Sequence, residues 1–147
     1  MNVEIIAELE INHGASLDIA KQLVFAAAKV GANTVKFQAF NAEEFTAPES
    51  PYRSIFSNLQ LDTQQFYELK HFAEQCDVNF LLTIADLSSV KAIEELALKR
   101  VKIGSTNLTN HVLLREIAKT KVEIILSTGA STLSEIHEAV EVIRSFS

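Results

Sequence analysis

The sequence predicts an α/β fold made of consecutive parallel β/α units. Three observations predict it. Five short apolar runs, at residues 3–7, 34–37, 78–82, 100–103 and 122–126, alternate with amphipathic stretches. Most of the runs are rich in Val, Ile or Phe and lack a clean period of two, the pattern of strands covered on both faces. Most connections between the segments are short, as in β/α repeats.

Each element has its own signature. After the first run, Leu17, Ala20, Val24 and Ala27 fall on one helical face behind Ser16, a plausible N-cap. After the second run comes a long connection, residues 39–61, with both prolines, Pro48 and Pro51, and the aromatics Phe40, Phe45, Tyr52 and Phe56. Such a loop is either a wall over a site or a surface excursion with its own apolar cluster. Asp62 with Gln65 then opens a helix whose stripe is Phe66, Leu69, Ala73 and Cys76. The third run leads to Asp86 as a cap and the stripe Val90, Ile93 and Ala97. The fourth leads to Thr109 as a cap and Leu113, Leu114 and Ile117. The fifth leads to the capping-box pair Thr132 and Glu135 and to Leu133, Ile136, Val140 and Ile143. Residues 1–147 read as one domain with no linker.

Composition narrows the function classes. The chain has 147 residues, 48% of them hydrophobic and 22% charged, with a net charge of −6. That balance argues against non-specific binding to nucleic acid or anionic membranes, though it leaves room for a local basic site. A single cysteine, Cys76, cannot form an intrachain disulfide and reads as a small core residue on a helix. No apolar run approaches the roughly 20 residues of a membrane span. The N-terminus lacks the features of a signal peptide, so the expected location is the cytoplasm.

In parallel α/β folds ligands gather at the carboxyl ends of the strands. Those ends carry Glu8, Asn12 and His13; Lys36 and Gln38; Thr83; Lys102, Ser105 and Asn107; and Ser127 with Gly129. A lysine within an apolar strand loses hydration and needs a partner. Two such lysines converging on one concave space would attract a dianion, with Ser105, Thr83 and Ser127 adding hydroxyls and Gly104 and Gly129 admitting backbone N–H groups. The other possibility is that they pair internally with Glu8 or Glu10. Glu8 in turn could serve proton transfer or sugar binding, or be a counter-ion. His71, His111 and His137 fall on or at the start of helices, leaving only His13 near a strand end. No histidine pair has metal-ligand spacing, and there is no dinucleotide or nucleotide phosphate loop.

Ile6-Ala7-Glu8, Ile11-Asn12-His13-Gly14, Val35-Lys36-Phe37-Gln38, Val101-Lys102-Ile103-Gly104-Ser105, Leu108-Thr109-Asn110 and Ile125-Leu126-Ser127-Thr128-Gly129, in this order, resemble the N-acetylneuraminate (sialic acid) synthase family. That family also includes legionaminic and pseudaminic acid synthases. The resemblance implies a (β/α)8 TIM barrel that condenses phosphoenolpyruvate with an N-acylated hexosamine aldehyde and releases phosphate. It implies that Lys102, Ser105, Thr83 and Ser127 hold the phosphate. Lys36 and Gln38 would sit at the reacting end, and Glu8 would face the sugar or the forming tetrahedral centre. Asn12 and His13 would help shape the floor. A divalent metal, manganese or magnesium, would activate the aldehyde through ligands outside this chain.

The sequence also departs from the family pattern. Asn107 stands where an acid thought to assist chemistry at the aldehyde is usual, and Glu10 where a small residue is common. A full barrel needs about 250 residues, so the expected domain is an incomplete barrel of about five of eight units. Its open edges and an uncovered apolar inner face would invite a second copy or a complementing chain. Three functions follow: a synthase chain retaining the phosphoenolpyruvate half-site, a non-catalytic half-barrel assembly module, or an aldolase using Lys36 or Lys102 as a Schiff base.

Overall fold

The computed structural model describes residues 3–147. Five parallel strands form one sheet in the order of the chain. They are β1 (Ile6–Glu10), β2 (Thr34–Ala39), β3 (Asn79–Ile84), β4 (Arg100–Ile103) and β5 (Glu123–Leu126). The helices are α1 (Leu17–Lys29), α2 (Ala42–Phe45), α3 (Arg53–Leu59), α4 (Thr63–Gln75), α5 (Ala92–Glu95), α6 (His111–Lys119) and α7 (Leu133–Phe146). The five expected β/α units are therefore present, with α2 and α3 built into the long second connection.

Alternation along the strands separates two faces of the sheet. Leu9, Val35, Phe37, Leu82, Ile84, Val101 and Ile103 are buried against helix residues such as Val24, Leu69, Leu113 and Ile117. Each fully buried side chain of this size contributes roughly 1.5–3 kcal/mol. The alternate residues behave differently. Cross-strand register places Glu8 beside Lys36, Gln38 beside Thr83, Thr83 beside Lys102, and Arg100 beside Glu123. This inner face is mostly polar, with Ile6, Leu81 and Ile125 among the charges. The expectation of strands apolar on both faces, and of an apolar inner face, is thus corrected. Lys36, Lys102, Glu8 and Glu10 on the inner face are paired with one another, and Arg100 with Glu4, which is why these charges are tolerated inside strands.

The sheet is rolled towards that polar face. Adjacent strands lie about 4.8 Å apart and side chains stand nearly perpendicular to a sheet, so groups on β1 and β4 of a flat sheet would not meet. Yet Glu8 Oε1 lies 3.4 Å from Lys102 Nζ. At the other end of the sheet, Arg100 donates to both carboxylate oxygens of Glu4, one at 2.8 Å. A curved parallel sheet with its helices outside is the geometry of a β/α barrel wall.

Local signals set the ends of the elements. Asp62 with Gln65 and Thr132 with Glu135 form complete capping boxes, and Ser16 caps α1. Two caps differ from expectation. Asn110, not Thr109, caps α6 by accepting from Leu113 N–H. Asp86 instead ties the turn after β3, accepting from Asn41 N–H and from both the N–H and hydroxyl of Ser89. The helix expected across Val90, Ile93 and Ala97 is only the single turn α5, because Ala97 takes a left-handed backbone with φ 48°. The long second connection closes over an aromatic cluster in which the rings of Phe40, Phe45 and Phe56 lie 5.0–5.7 Å apart.

Candidate functional site

Four strands bring their polar residues to one point on the inner face. Lys36, on central strand β2, is fully buried. Its ammonium lies 2.8 Å from Glu8 Oε2, forms an ion pair with Glu10, and donates to Thr83 Oγ1 at 2.7 Å. Glu8 uses its other oxygen for Lys102. The lysines are therefore internally paired, and both reach the carboxylate of Glu8.

The two carboxyls of β1 are driven apart by their surroundings. Burial pushes Glu8 upward, but hydrogen bonds from Glu10 and Lys36 and the charges of Lys36 and Lys102 outweigh it and hold Glu8 well below the usual carboxylate range. Burial pushes Glu10 above that range, the hydrogen bond with Glu8 adds to the rise, and Lys36 opposes it. Glu10 is therefore the member of the pair that keeps a proton more readily. A bulge between Glu8 and Glu10 and a left-handed backbone at Glu10, φ 47°, place both side chains on Lys36. Regular alternation would not bring both carboxyls to one ammonium so closely.

Beside this cluster, the loops after β4 and β5 run together. A methyl group at Gly129 would lie 3.4 Å from Ser105 Oγ, and Ser127 N–H donates to Ile103 carbonyl at 3.1 Å. Ser105 and Ser127 thus flank the carboxyl ends of adjacent strands, both half-buried. Gln38 lies opposite Thr83 in register and is also half-buried.

Three other candidates have structural tasks. Asn12 Nδ2 donates to Leu9 carbonyl at 3.0 Å within the turn after β1. His13 is buried, accepts from Ala15 N–H through Nδ1 at 2.9 Å, and packs on Phe37, a residue of the helix-covered face. Burial holds its imidazole below the usual range, opposed by a hydrogen bond to the Glu10 backbone. Asn107 Nδ2 donates to Ala85 carbonyl at 3.0 Å, and its Oδ1 accepts from Asn110 at 3.2 Å. It joins the loops after β3 and β4.

Glu10 was legible only as a counter-ion. The spacing Glu8-x-Glu10 signals two carboxyls on one strand face, but the bulge that brings both onto Lys36 has no sequence signature. Among the described residues, no group of three or more His, Cys, Asp or Glu side chains is arranged to hold a metal ion. A cleft of about 540 Å³ at the amino ends of the strands, lined by Lys70, Glu74, Arg100 and Glu123 among others, contains none of the candidates. No helix among the described residues is long and apolar enough to cross a membrane.

Residues 23–147 match the NeuB family. The chain belongs to the NeuB family. Among its NeuB relatives, the N,N'-diacetyllegionaminic acid synthase of Campylobacter jejuni is 40% identical over 95% of this chain and 46% of its own length. Human N-acetylneuraminate-9-phosphate synthase is 29% identical over 95% of the chain and 43% of its own length. The crystal structure of N-acetylneuraminic acid synthetase from Leptospira borgpetersenii, in complex with citrate, superposes with a TM-score of 0.94 at 30% identity, covering 99% of this chain and 51% of that one. A truncated 3-deoxy-D-arabino-heptulosonate 7-phosphate synthase from Thermotoga maritima shares the fold, with a TM-score of 0.70 at 14% identity. The chain therefore spans about half the length of the relatives it matches, and the family resemblance read from the strand-end motifs is borne out.

Proposed function

We propose that the chain forms the phosphoenolpyruvate side of a nonulosonic acid synthase site. The reaction condenses phosphoenolpyruvate with an N-acylated hexosamine of the N-acetylmannosamine type and releases phosphate. The observation that carries this is the Lys36–Glu8–Lys102 network on the inner face of a rolled NeuB sheet, with Ser105 and Ser127 at its edge.

In this reading Lys102, Ser105, Thr83 and Ser127 hold the phosphate, while Lys36 and Gln38 face the reacting end. Glu8, half-exposed and held ionised by the hydrogen bond with Glu10 and by two lysines, faces the sugar or the tetrahedral centre. Fixed donors aimed at developing charge in a partly dry site are the main catalytic device. Asn12, His13 and Asn107 act through the shape of the loops. The divalent metal of the family, manganese or magnesium, does not fit the residues present: Glu8 and Glu10 already pair with Lys36, and no ligand group surrounds them. Its ligands would come from outside these residues.

Isothermal titration with phosphoenolpyruvate and with inorganic phosphate tests the reading. Binding that is lost in Lys102→Ala is expected. No binding, or binding indifferent to that change, sinks it.

A second reading is a half-barrel assembly module without catalysis. It is favoured by Asn107, whose amide is committed to Ala85 and Asn110. Light scattering after size exclusion would then show a stable oligomer that does not respond to phosphoenolpyruvate. The Schiff-base aldolase has less support, because both lysines donate to carboxylates that an imine-forming amine would have to leave.

A further inference from the structure

We propose that Glu10 is a built-in competitor for the anion site: its carboxylate holds the Lys36 ammonium and is displaced, by taking a proton from solvent, when a substrate anion binds. The inference rests on the phosphoenolpyruvate reading of the site and goes beyond it by assigning Glu10 a part in specificity.

Charge counting motivates it. Lys36 and Lys102 bring two positive charges, and Glu8 with Glu10 bring two negative ones, so the fully ionised cluster is neutral. A neutral cluster attracts an anion weakly. With Glu10 protonated the cluster is positive by one and can hold a phosphate or carboxylate.

Geometry shows that Glu10 is specifically placed. Its backbone lies at φ 47°, a conformation that favours glycine, and the register slips between Glu8 and Glu10. A side chain is thus carried at a position that disfavours one, and its carboxylate lies on a fully buried ammonium. The charged or titratable groups facing it are Glu8 on its own strand, Lys36 on β2 and, through Glu8, Lys102 on β4, while His13 bonds its backbone. Thr83 of β3, which also accepts from Lys36, is uncharged. Burial and Glu8 both favour the neutral form of Glu10, so protonation is the accessible route of release.

The test is calorimetric titration of the full chain with phosphoenolpyruvate, and with sulfate as an anion that does not itself titrate near neutral pH. Wild-type affinity should fall as pH rises, with net proton uptake on sulfate binding, seen by comparing buffers of different ionisation heat. Glu10→Gln should bind about tenfold more tightly at the alkaline end, with a flat pH profile and no proton uptake. Glu10→Gly, which suits the left-handed backbone, should behave alike and guards against misfolding of the first variant. If wild type binds and neither variant binds more tightly, the competitor role is overturned while the site stands. If neither wild type nor variants bind phosphoenolpyruvate at any pH, both readings fall together.

Discussion

Arg100 of β4 grips Glu4, just ahead of β1, through both guanidinium nitrogens, although 96 residues separate them in the chain. The pair fastens the first strand to the fourth beneath the candidate site. Glu8 and Lys102 repeat the same link one layer higher.

Arg100→Ala should therefore lower stability. Glu4 is more than a third exposed, so solvent screening limits the loss to roughly 0.5–1 kcal/mol, about 2–4 °C in Tm. The hydrogen bond from Arg100, then that from Thr34, holds the Glu4 carboxyl down at about 2. A depressed folded-state pKa contributes stability above the unfolded value and loses it as pH falls through the folded one. The contribution is thus complete above about pH 4.5 and disappears towards pH 2. Acid unfolding followed by circular dichroism should begin at a higher pH in Arg100→Ala. Coincident acid transitions would remove the clasp from the account of stability.

Lys36→Met should cost about 3 kcal/mol, because it leaves two neighbouring carboxyls without their shared cation. Adding Glu10→Gln should restore roughly 1 kcal/mol of that loss by removing one of them. Urea titrations of the single and double variants measure the difference. A double variant no more stable than the single would mean that Glu10 does not depend on Lys36.

Asn107→Ala should cost about 1 kcal/mol through the lost bond to Ala85 carbonyl. Asn107→Asp should cost more, about 2 kcal/mol at neutral pH, since a carboxylate would face that carbonyl as acceptor against acceptor. An aspartate variant as stable as wild type would show that the loop has another way to satisfy Ala85.

Ala97→Gly should stabilise the chain by up to about 1 kcal/mol, because Ala97 ends α5 at φ 48° and only glycine occupies that region without steric cost. Thermal unfolding reads the gain directly. An unchanged or lower Tm would indicate that the methyl group packs well enough to offset the backbone cost.

Strand number, order and parallel sense were legible in the sequence, as was the gathering of Lys36, Thr83, Lys102 and Glu8 at the carboxyl ends of the strands. Other features were hidden for physical reasons. Strand β1 runs Ile6–Glu10 rather than over residues 3–7, because Glu8 and Glu10 look foreign to a strand until Lys36 is known to lie beside them. The period of two was masked by Leu81 and Ile125, apolar residues on an otherwise charged face. His13 lies near a strand end in sequence, yet its ring packs against Phe37 on the other side of the sheet. Loop direction decides that, and local sequence does not encode it.

The clasp between Glu4 and Arg100 also bears on the order in which the molecule assembles. Bringing together ends some 96 residues apart carries a loop entropy cost on the order of 4 kcal/mol, and β4 supplies the two basic groups, Arg100 and Lys102, that reach across the sheet to Glu4 and Glu8. During synthesis the first three strands can zip up from local contacts, but the roll of the sheet must await the arrival of Arg100 and Lys102. Curvature is then a late kinetic event, and weakening the clasp should hasten unfolding more than it slows refolding.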